Sequence, residues 1–410
     1  MATTPQTSQA QLAAENIAVR NLVLSSSIEK IQISNQATGN FVPSATPVIT
    51  LKPIMAGLTK GFWLSITASI VNLGTNTLYL TEQGIANIFS NVIVNDPNGD
   101  QRITTDGFGI VLNNFERFKT SLGSIKSATE TTSYFGNTLT NVSIPASIAT
   151  NTVAAPAEAK FFMWIPLAYS SQDLRGAIYT NIANAAMNIS LTVNPNAIST
   201  ATATSAPVTS GVQPMTAYAN ASAVGSTGAY ISNIEITTRQ VYLDNLPAYT
   251  QAFAPEFNQG GLLLPVGDLS IQYQLIKVQP NLSLSANNKS LIAYAPQRSY
   301  LSTNLVYNNG NTLNAGTDVS KITIESANTN IFLDTDPSFL GLLIENEFEL
   351  DLPAATYYLN RRHSPINTLN YGNTNIGFTP SVVNAGAVIV EYDEVFSYTG
   401  ITSSAQAIGA

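Results

Sequence analysis

At 410 residues, 44% apolar and 9% aromatic, the chain has length for two packed domains of roughly 150–200 residues and too much apolar content for disorder. Only 10% of its residues are charged and the formal net charge is −8, against about 25% charged in ordinary soluble proteins. The 17 Lys and Arg form no basic run, which argues against an arm that grips a phosphate backbone. The absence of cysteine excludes disulfides and thiolate metal sites. Ser, Thr, Asn, Gln and Gly take the place of the missing charge. That surface suits strands and polar turns, and a chain largely covered by neighbours needs few solubilising charges.

The start, MATTPQTSQAQLAAEN, has neither a basic n-region nor an apolar h-region and does not read as a secretory signal. No stretch reaches 18 apolar residues, so no spanning helix is expected. Residues 1–45 form a predicted helical arm. Thr4-Pro5, then Ser8 with Gln11, supply a start of the capping-box kind. Leu12, Val19 and Val23 stack on one side while Ile17 and Leu24 fall elsewhere. With Arg20, the residues Leu12, Ile17, Val19 and Val23 are the candidates for contact with a membrane surface or a neighbouring subunit.

From residue 46 the pattern is β. PVITLKPI and GFWLSITASIVNLG alternate at period two, with Phe62, Leu64, Ile66, Ala68 and Ile70 on one face. FSNVIVNDPNGDQRI reads as a hairpin. DGFGIVLNNFERFK is an internal helix, with Phe108, Val111, Leu112, Phe115 and Phe118 at helical spacing behind a capping Asp106. KFFMWIPLAYS, AAMNISLTVNP and AYISNIEITTRQVYLD are further strands. The small polar stretch 196–229 is long enough for a functional or mobile loop. Residues 245–261 form a linker, and eight more strand-like segments follow, among them LLIENEFELDLP, ATYYLNRR and AGAVIVEYDEVFSY.

The predicted fold is therefore all-β: two jelly-roll β-sandwich domains in tandem, with an N-terminal helix and one or a few short internal helices. The organisation is a 1–45 arm, a first roll at 46–244, a linker at 245–261, a second roll at 262–398 and a 399–410 tail. VITLKP at 48–53 echoes LIKVQP at 275–280, a weak sign of duplication.

The chemistry candidates are sparse. His363 is the single histidine; it follows Arg361 and Arg362 in YYLNRRHSPINT. A histidine base needs an orienting carboxylate and a nucleophile, and in a strand the adjacent Ser364 points to the opposite face. Arg361, Arg362 and His363 read instead as a strand end that serves folding or subunit contacts. Glu345, Glu347, Glu349 and Asp351 form an acidic stripe on one face of a predicted strand, a weak candidate for a hard cation or a glycosidase pair. NDPNGD lacks the glycine and the terminal glutamate of a calcium loop and reads as a turn. No catalytic residue, cofactor or metal is assigned.

VITLKPIMAGLTKGFWLSITASI, FMWIPLAYSSQDLRGAIYTNIANAAMNISLTVNP and LPAATYYLNRRHSPINTLNYGNTNI resemble, in order and spacing, the major capsid protein of tailless icosahedral phages with an internal membrane, the tectivirus type. The resemblance implies a double jelly roll whose homotrimers form pseudo-hexagonal capsomers in a virion shell around a lipid vesicle holding double-stranded DNA. It further implies neighbouring capsomers, minor capsid and vertex proteins as partners, and an N-terminal helix on the membrane side. No direct nucleic acid binding is expected. The rival readings are a two-domain receptor- or sugar-binding spike and a β-sandwich glycosidase using the 345–351 carboxylates.

Overall fold

The computed structural model describes residues 9–397 except 42–45, 119–132, 135–136, 139–142, 183–184, 209–214, 249–260, 311, 313–316, 327–329, 349–351, 353–354 and 372. Helix α1 (Gln9–Ser26) opens the chain. Eight main strands follow: β1 (Ile28–Asn40), β2 (Val48–Leu51), β3 (Leu58–Asn72), β4 (Phe89–Asn95), β5 (Gln101–Thr105), β6 (Ala157–Pro166), β7 (Asn188–Val193) and β8 (Ala229–Asp244), with helix α2 (Gly107–Phe118) between β5 and β6. Eight more make up the second half: β9 (Gln272–Val278), β10 (Ser290–Ala293), β11 (Arg298–Asn308), β12 (Val319–Ser326), β13 (Asn330–Thr335), β14 (Thr356–Asn360), β15 (Thr374–Pro380) and β16 (Val388–Ser397), with helix α3 (Pro337–Phe348) between β13 and β14.

The two halves share one topology. The first sheets run β1-β8-β3-β6 and β2-β7-β4-β5; the second run β9-β16-β11-β14 and β10-β15-β12-β13. Counted within each half, both give the orders 1-8-3-6 and 2-7-4-5, the two facing sheets of a jelly roll. The sheets are open rather than closed into barrels. One junction fuses the rolls: edge strand β5 pairs in parallel with β9, Ile103 opposite Leu275, to make a nine-stranded sheet. The echo noted at 48–53 and 275–280 joins β2 to β9, which occupy different places in the two rolls. Duplication is written in the topology, not in that hexapeptide.

Alternation builds the core. Phe62, Leu64, Ile66, Ala68 and Ile70 of β3 are all buried in the first core, as period-two burial requires. Strand β16 serves two cores: Val390, Tyr392 and Phe396 join the first and Ile389 and Val395 the second. A strand covered on both faces reads as a near-continuous apolar run, which AVIVEYDEVF nearly is.

Three expectations are corrected. The arm is helical only through Ser26; Ile28–Asn40 is an edge strand paired antiparallel to β8. Ile31 and Ile33 alternate with Lys30, Gln32 and Ser34 as a strand requires, but the hydrogen-bonding partner lies about two hundred residues on. LLIENEFELDLP is no strand: most of it is the second half of α3, where Pro337 takes the first helical position and the Asp336 carboxylate accepts from the Phe339 N–H at 3.0 Å. Leu340 and Ile344, four apart, face the second core. The polar stretch 196–229 is folded onto the first roll where described. Its Tyr218–Ala219 strand pairs with Leu78–Leu80, which pairs with Ser147–Ile148, and Tyr218 donates to the Pro145 carbonyl at 2.8 Å. Among the described residues, no helix is long and apolar enough to cross a membrane.

Candidate functional site: the seam between the rolls

Helix α2 lies across the seam. Asp106 caps it through the Gly109 N–H at 2.7 Å, and the same carboxylate accepts from the Tyr392 hydroxyl and from Lys277 Nζ, both at 2.8 Å. Gly109 has no Cβ because the Tyr392 ring and Thr105 stand where one would be. One turn on, Asn113 donates to the Tyr273 hydroxyl at 3.3 Å. The helix ends in a buried ionic cluster. Arg362 meets Glu116 Oε2 at 2.9 Å and Glu394 Oε2 at 2.7 Å. Arg117 meets Glu394 Oε1 at 2.8 Å. Tyr273 and Ser302 donate to Glu394 at 2.6 and 3.0 Å, and Asn304 donates to Glu116 at 2.5 Å.

Burial alone would raise Glu394, but the Arg362 and Arg117 guanidiniums outweigh it and hold its carboxyl down to about 2. Glu116 has the opposite fate: burial, with Glu394 nearby, pushes it up to about 7 against the pull of Arg362. The cluster is a clamp between the two rolls. Glu116 and Glu394 are buried, while Arg117 and Arg362 reach partly to the surface; removing a cation leaves a buried carboxylate short of its partner, a costly change.

The structure separates the three residues of the predicted strand end. Strand β14 stops at Asn360, and a turn follows in which the Ser364 N–H donates to the Arg361 carbonyl at 3.0 Å. Arg362 is half-buried in the clamp, Arg361 donates to the Phe332 carbonyl, and His363 is exposed. The acidic stripe does not exist as a strand face. Glu345 is exposed on α3, Glu347 belongs to the same helix, and Glu349 and Asp351 lie outside the described residues. Among the described residues, no group of three or more acidic or histidine side chains could hold a metal. Asp96 of NDPNGD is spent on its turn and on Arg102, 2.9 Å away.

Helix α1 is docked by the residues read as partner-facing. Arg20 makes a bidentate bond to Asp268 at 2.5 and 2.6 Å. Val23 is fully buried, with Val19 packed beside it, in a cluster of Leu58, Leu243, Leu264 and Leu269 from both halves. Ile17 remains exposed, and the Leu12 side chain lies outside the described residues. The clamp borders a cleft of about 530 Å³ on the outer face of the β1-β8-β3-β6 sheet, lined by the clamp's Glu116, Arg117 and Arg362 together with Glu29, Ile31, Lys60, Trp63, Trp164 and Val241. Its two tryptophans sit 5.1 Å apart.

Glu116, Arg117, Asn304 and Glu394 escaped the sequence reading. One signal was present: in a chain so poor in charge, FERF and VEYDEV place ionisable groups inside core-patterned segments, where they require partners.

Family comparisons converge on this architecture. Residues 2–246 match the family described as P3 major capsid protein N-terminal, and residues 270–410 match P3 major capsid protein C-terminal. The chain belongs to the P3 major capsid protein family. Major capsid protein P3 of Enterobacteria phage PRD1 is 30% identical over 389 residues, covering 94% of this chain and 92% of that protein. Among solved structures, the atomic structure of Sulfolobus Turreted Icosahedral Virus superposes with a TM-score of 0.60 at 11% identity, over 93% of this chain and 96% of that one. The PBCV-1 virus capsid does so at 0.51 and 9% identity, over 90% and 94%. At such identities the likeness is one of fold, and that fold is the double jelly roll. P3 family membership and the clamp agree: the seam holds two rolls together as one building unit.

Proposed function

We propose that this chain is the major structural subunit of a virion shell, and that three copies close into a pseudo-hexagonal capsomer that tiles an icosahedral capsid around an internal membrane enclosing double-stranded DNA. The role is structural rather than enzymatic. One observation carries the trimer: each chain is a fused pair of rolls of identical topology, so three chains supply six similar units, as a six-sided outline requires.

Further partners are neighbouring capsomers and the minor capsid and vertex proteins. Membrane contact is assigned to the outer side of α1, where Ile17 is exposed while Arg20 and Val23 anchor the helix to the body. The net charge of −8 and scattered basic residues speak for a shell that does not grip the genome. Residues 46–244 and 262–398 are assigned as the two rolls, with β1 completing the first.

Light scattering of purified protein over a dilution series tests the reading. The expected native mass is about three times the 43.6 kDa chain, independent of concentration, as for a closed ring. A clean monomer would remove the capsomer.

A further inference from the structure

Strand β16 turns two of its acids inward. Glu394 shares the face of Val390, Tyr392 and Phe396 and reaches the clamp, whereas Glu391 and Asp393 lie on the opposite face, between Ile389 and Val395 of the second core. They are 2% and 4% exposed. Their cross-strand neighbours, Ile276 and Val278 of β9 and Thr303 and Leu305 of β11, supply no charge. Thr303 donates to Asp393 at 2.7 Å, and because its proton is used there, the Tyr294 hydroxyl 3.1 Å away donates to Thr303. Glu391 Oε1 has no hydrogen-bond partner, and among the described residues the salt bridges of β16 all end at Glu394. The ionisable groups that face the pair are Tyr294 and Tyr300, kept protonated by burial, and Arg298 at the start of β11, whose pull on Asp393 is weaker than that of its hydrogen bonds. Arg361 acts on Tyr294, and Lys277 is on the clamp's side, paired with Asp106.

Two carboxylates with no paired cation cannot both be ionised in a dry interior. The two carboxyls hydrogen-bond each other, which requires a proton between them. The first roll fills the same positions differently. Lys60 of β3 bulges opposite Val241 and Tyr242 of β8, and Leu301 of β11 bulges opposite Glu394 and Val395 of β16. The shared bulge fixes the register between the rolls, so Glu391 and Asp393 stand where the first roll has Thr238 and Gln240. Both of those are fully buried and neutral. Gln240 donates to Thr59 at 2.8 Å, and Thr59 meets Thr180 at 2.9 Å. One polar site inside each roll is thus built twice, once without a titratable group and once with two.

We propose that Glu391 and Asp393 share a proton that locks the second roll: when it leaves, two like charges face each other between the roll's sheets, and the second roll opens while the first, neutral at these places, stays shut. The lock is internal to one chain and does not depend on the capsomer reading. Burial, and then the neighbouring carboxyl, raises Glu391 well above its ordinary range, and burial pushes Asp393 up to about 7 against its hydrogen bonds and Arg298. The pair titrates as a unit. One proton leaves near pH 7, and the shared one leaves only in alkali. Both folded values lie above those of the open chain, so the pair's contribution is whole below about pH 4 and is lost in two stages as pH rises, first to about 7 and then beyond.

Hydrogen exchange on the full-length protein, corrected for the intrinsic rise of exchange with pH, reads the opening of each roll. Above about pH 7.5 Glu116 and the first proton of the pair have already titrated, which leaves the shared proton. From there to about pH 9.5 the protection of β12 and β15 should fall by about tenfold per pH unit, the effect of one proton, while that of β3 and β7 holds. Glu391→Gln, nearly the same shape without the second acid, should flatten the fall. Glu391→Thr combined with Asp393→Gln gives the second roll the pair of the first and should flatten it as well. Second-roll protection that is independent of pH in the wild type, an equal fall in both rolls, or a fall that persists in either variant overturns the lock. So does a loss of wild-type protection on adding EDTA, which would put a cation in the place of the proton.

Discussion

Helices α2 and α3 stand at the same place in two copies of one topology, yet their chemistry is inverted. The buried helix, GFGIVLNNFERF, carries Asn113, Asn114, Glu116 and Arg117; the half-exposed helix, PSFLGLLIENEF, turns Phe339, Leu342 and Leu343 outward. Polarity alone would have ranked them the other way. A permanently covered helix can carry polar groups if fixed partners meet them, and the seam provides Tyr273, Asn304, Arg362 and Glu394. The outer face of α3, being apolar, requires no matched donor in the chain.

The sharpest way to break this contrast is Arg362→Ala. It leaves Glu394 and Glu116 buried with one cation fewer, and the expected loss is about 3–5 kcal/mol, read as a shift in the urea midpoint. The same substitution at the neighbouring Arg361 should cost less. Next come paired truncations. Leu112→Ala in α2 should cost about 2–5 kcal/mol, whereas Leu342→Ala in α3, exposed in the chain, should stay within about 0.5 kcal/mol. Equal costs would erase the distinction between the two helices.

Glu116 gives the contrast a pH dependence. Its folded carboxyl sits at about 7 against an ordinary 4.5, so the folded state holds a proton that the unfolded chain releases between these values. The contribution of Glu116 is therefore whole below about pH 4.5 and is lost as pH rises to about 7, by about 3 kcal/mol at 1.36 kcal/mol per unit. Asp393, pushed by burial up to about 7, and its neighbour Glu391, also raised by burial, add in the same direction. Glu394 acts in the opposite direction below this window: its contribution is whole above about pH 4.5 and is lost as pH falls from there through about 2. Thermal melts of Glu116→Gln from pH 4.5 to 8 should show a shallower decline than wild type; an unchanged slope would contradict the assignment. The smallest effect belongs to the caps. Asp336→Ala should cost about 1 kcal/mol, and Asp106→Ala more, because Asp106 also holds Lys277 and Tyr392; paired thermal melts would show it.

Much of the fold was legible because its signals are local. Period-two burial announced β3, and the spacing of Phe108, Val111, Leu112 and Phe115 announced α2. Where reading failed, the deciding partner was distant. Ile28–Asn40 becomes a strand because β8 supplies its hydrogen bonds. Strand β15, TNIGFTP, carries a Gly and a Pro that weaken a strand pattern, yet its Ile376 and Phe378 are fully buried between its neighbours β10 and β12. In α3, the i, i+2 spacing of Glu345 and Glu347 imitated a strand face while Leu340 and Ile344 kept helical spacing. The clamp's pairings were illegible for the same reason, since Glu116 and Arg117 come from the first roll and Asn304, Arg362 and Glu394 from the second.

Hydrogen exchange tests the central claim most directly, comparing wild-type protein with the Arg362→Ala variant. The amides of α2 should exchange slowly in the wild type and at least about tenfold faster in the variant, on the order of the protection that one docked face confers. Those of α3, which takes no part in the clamp, should change less. Equal protection of α2 in the two proteins would mean that the clamp does not hold the rolls together.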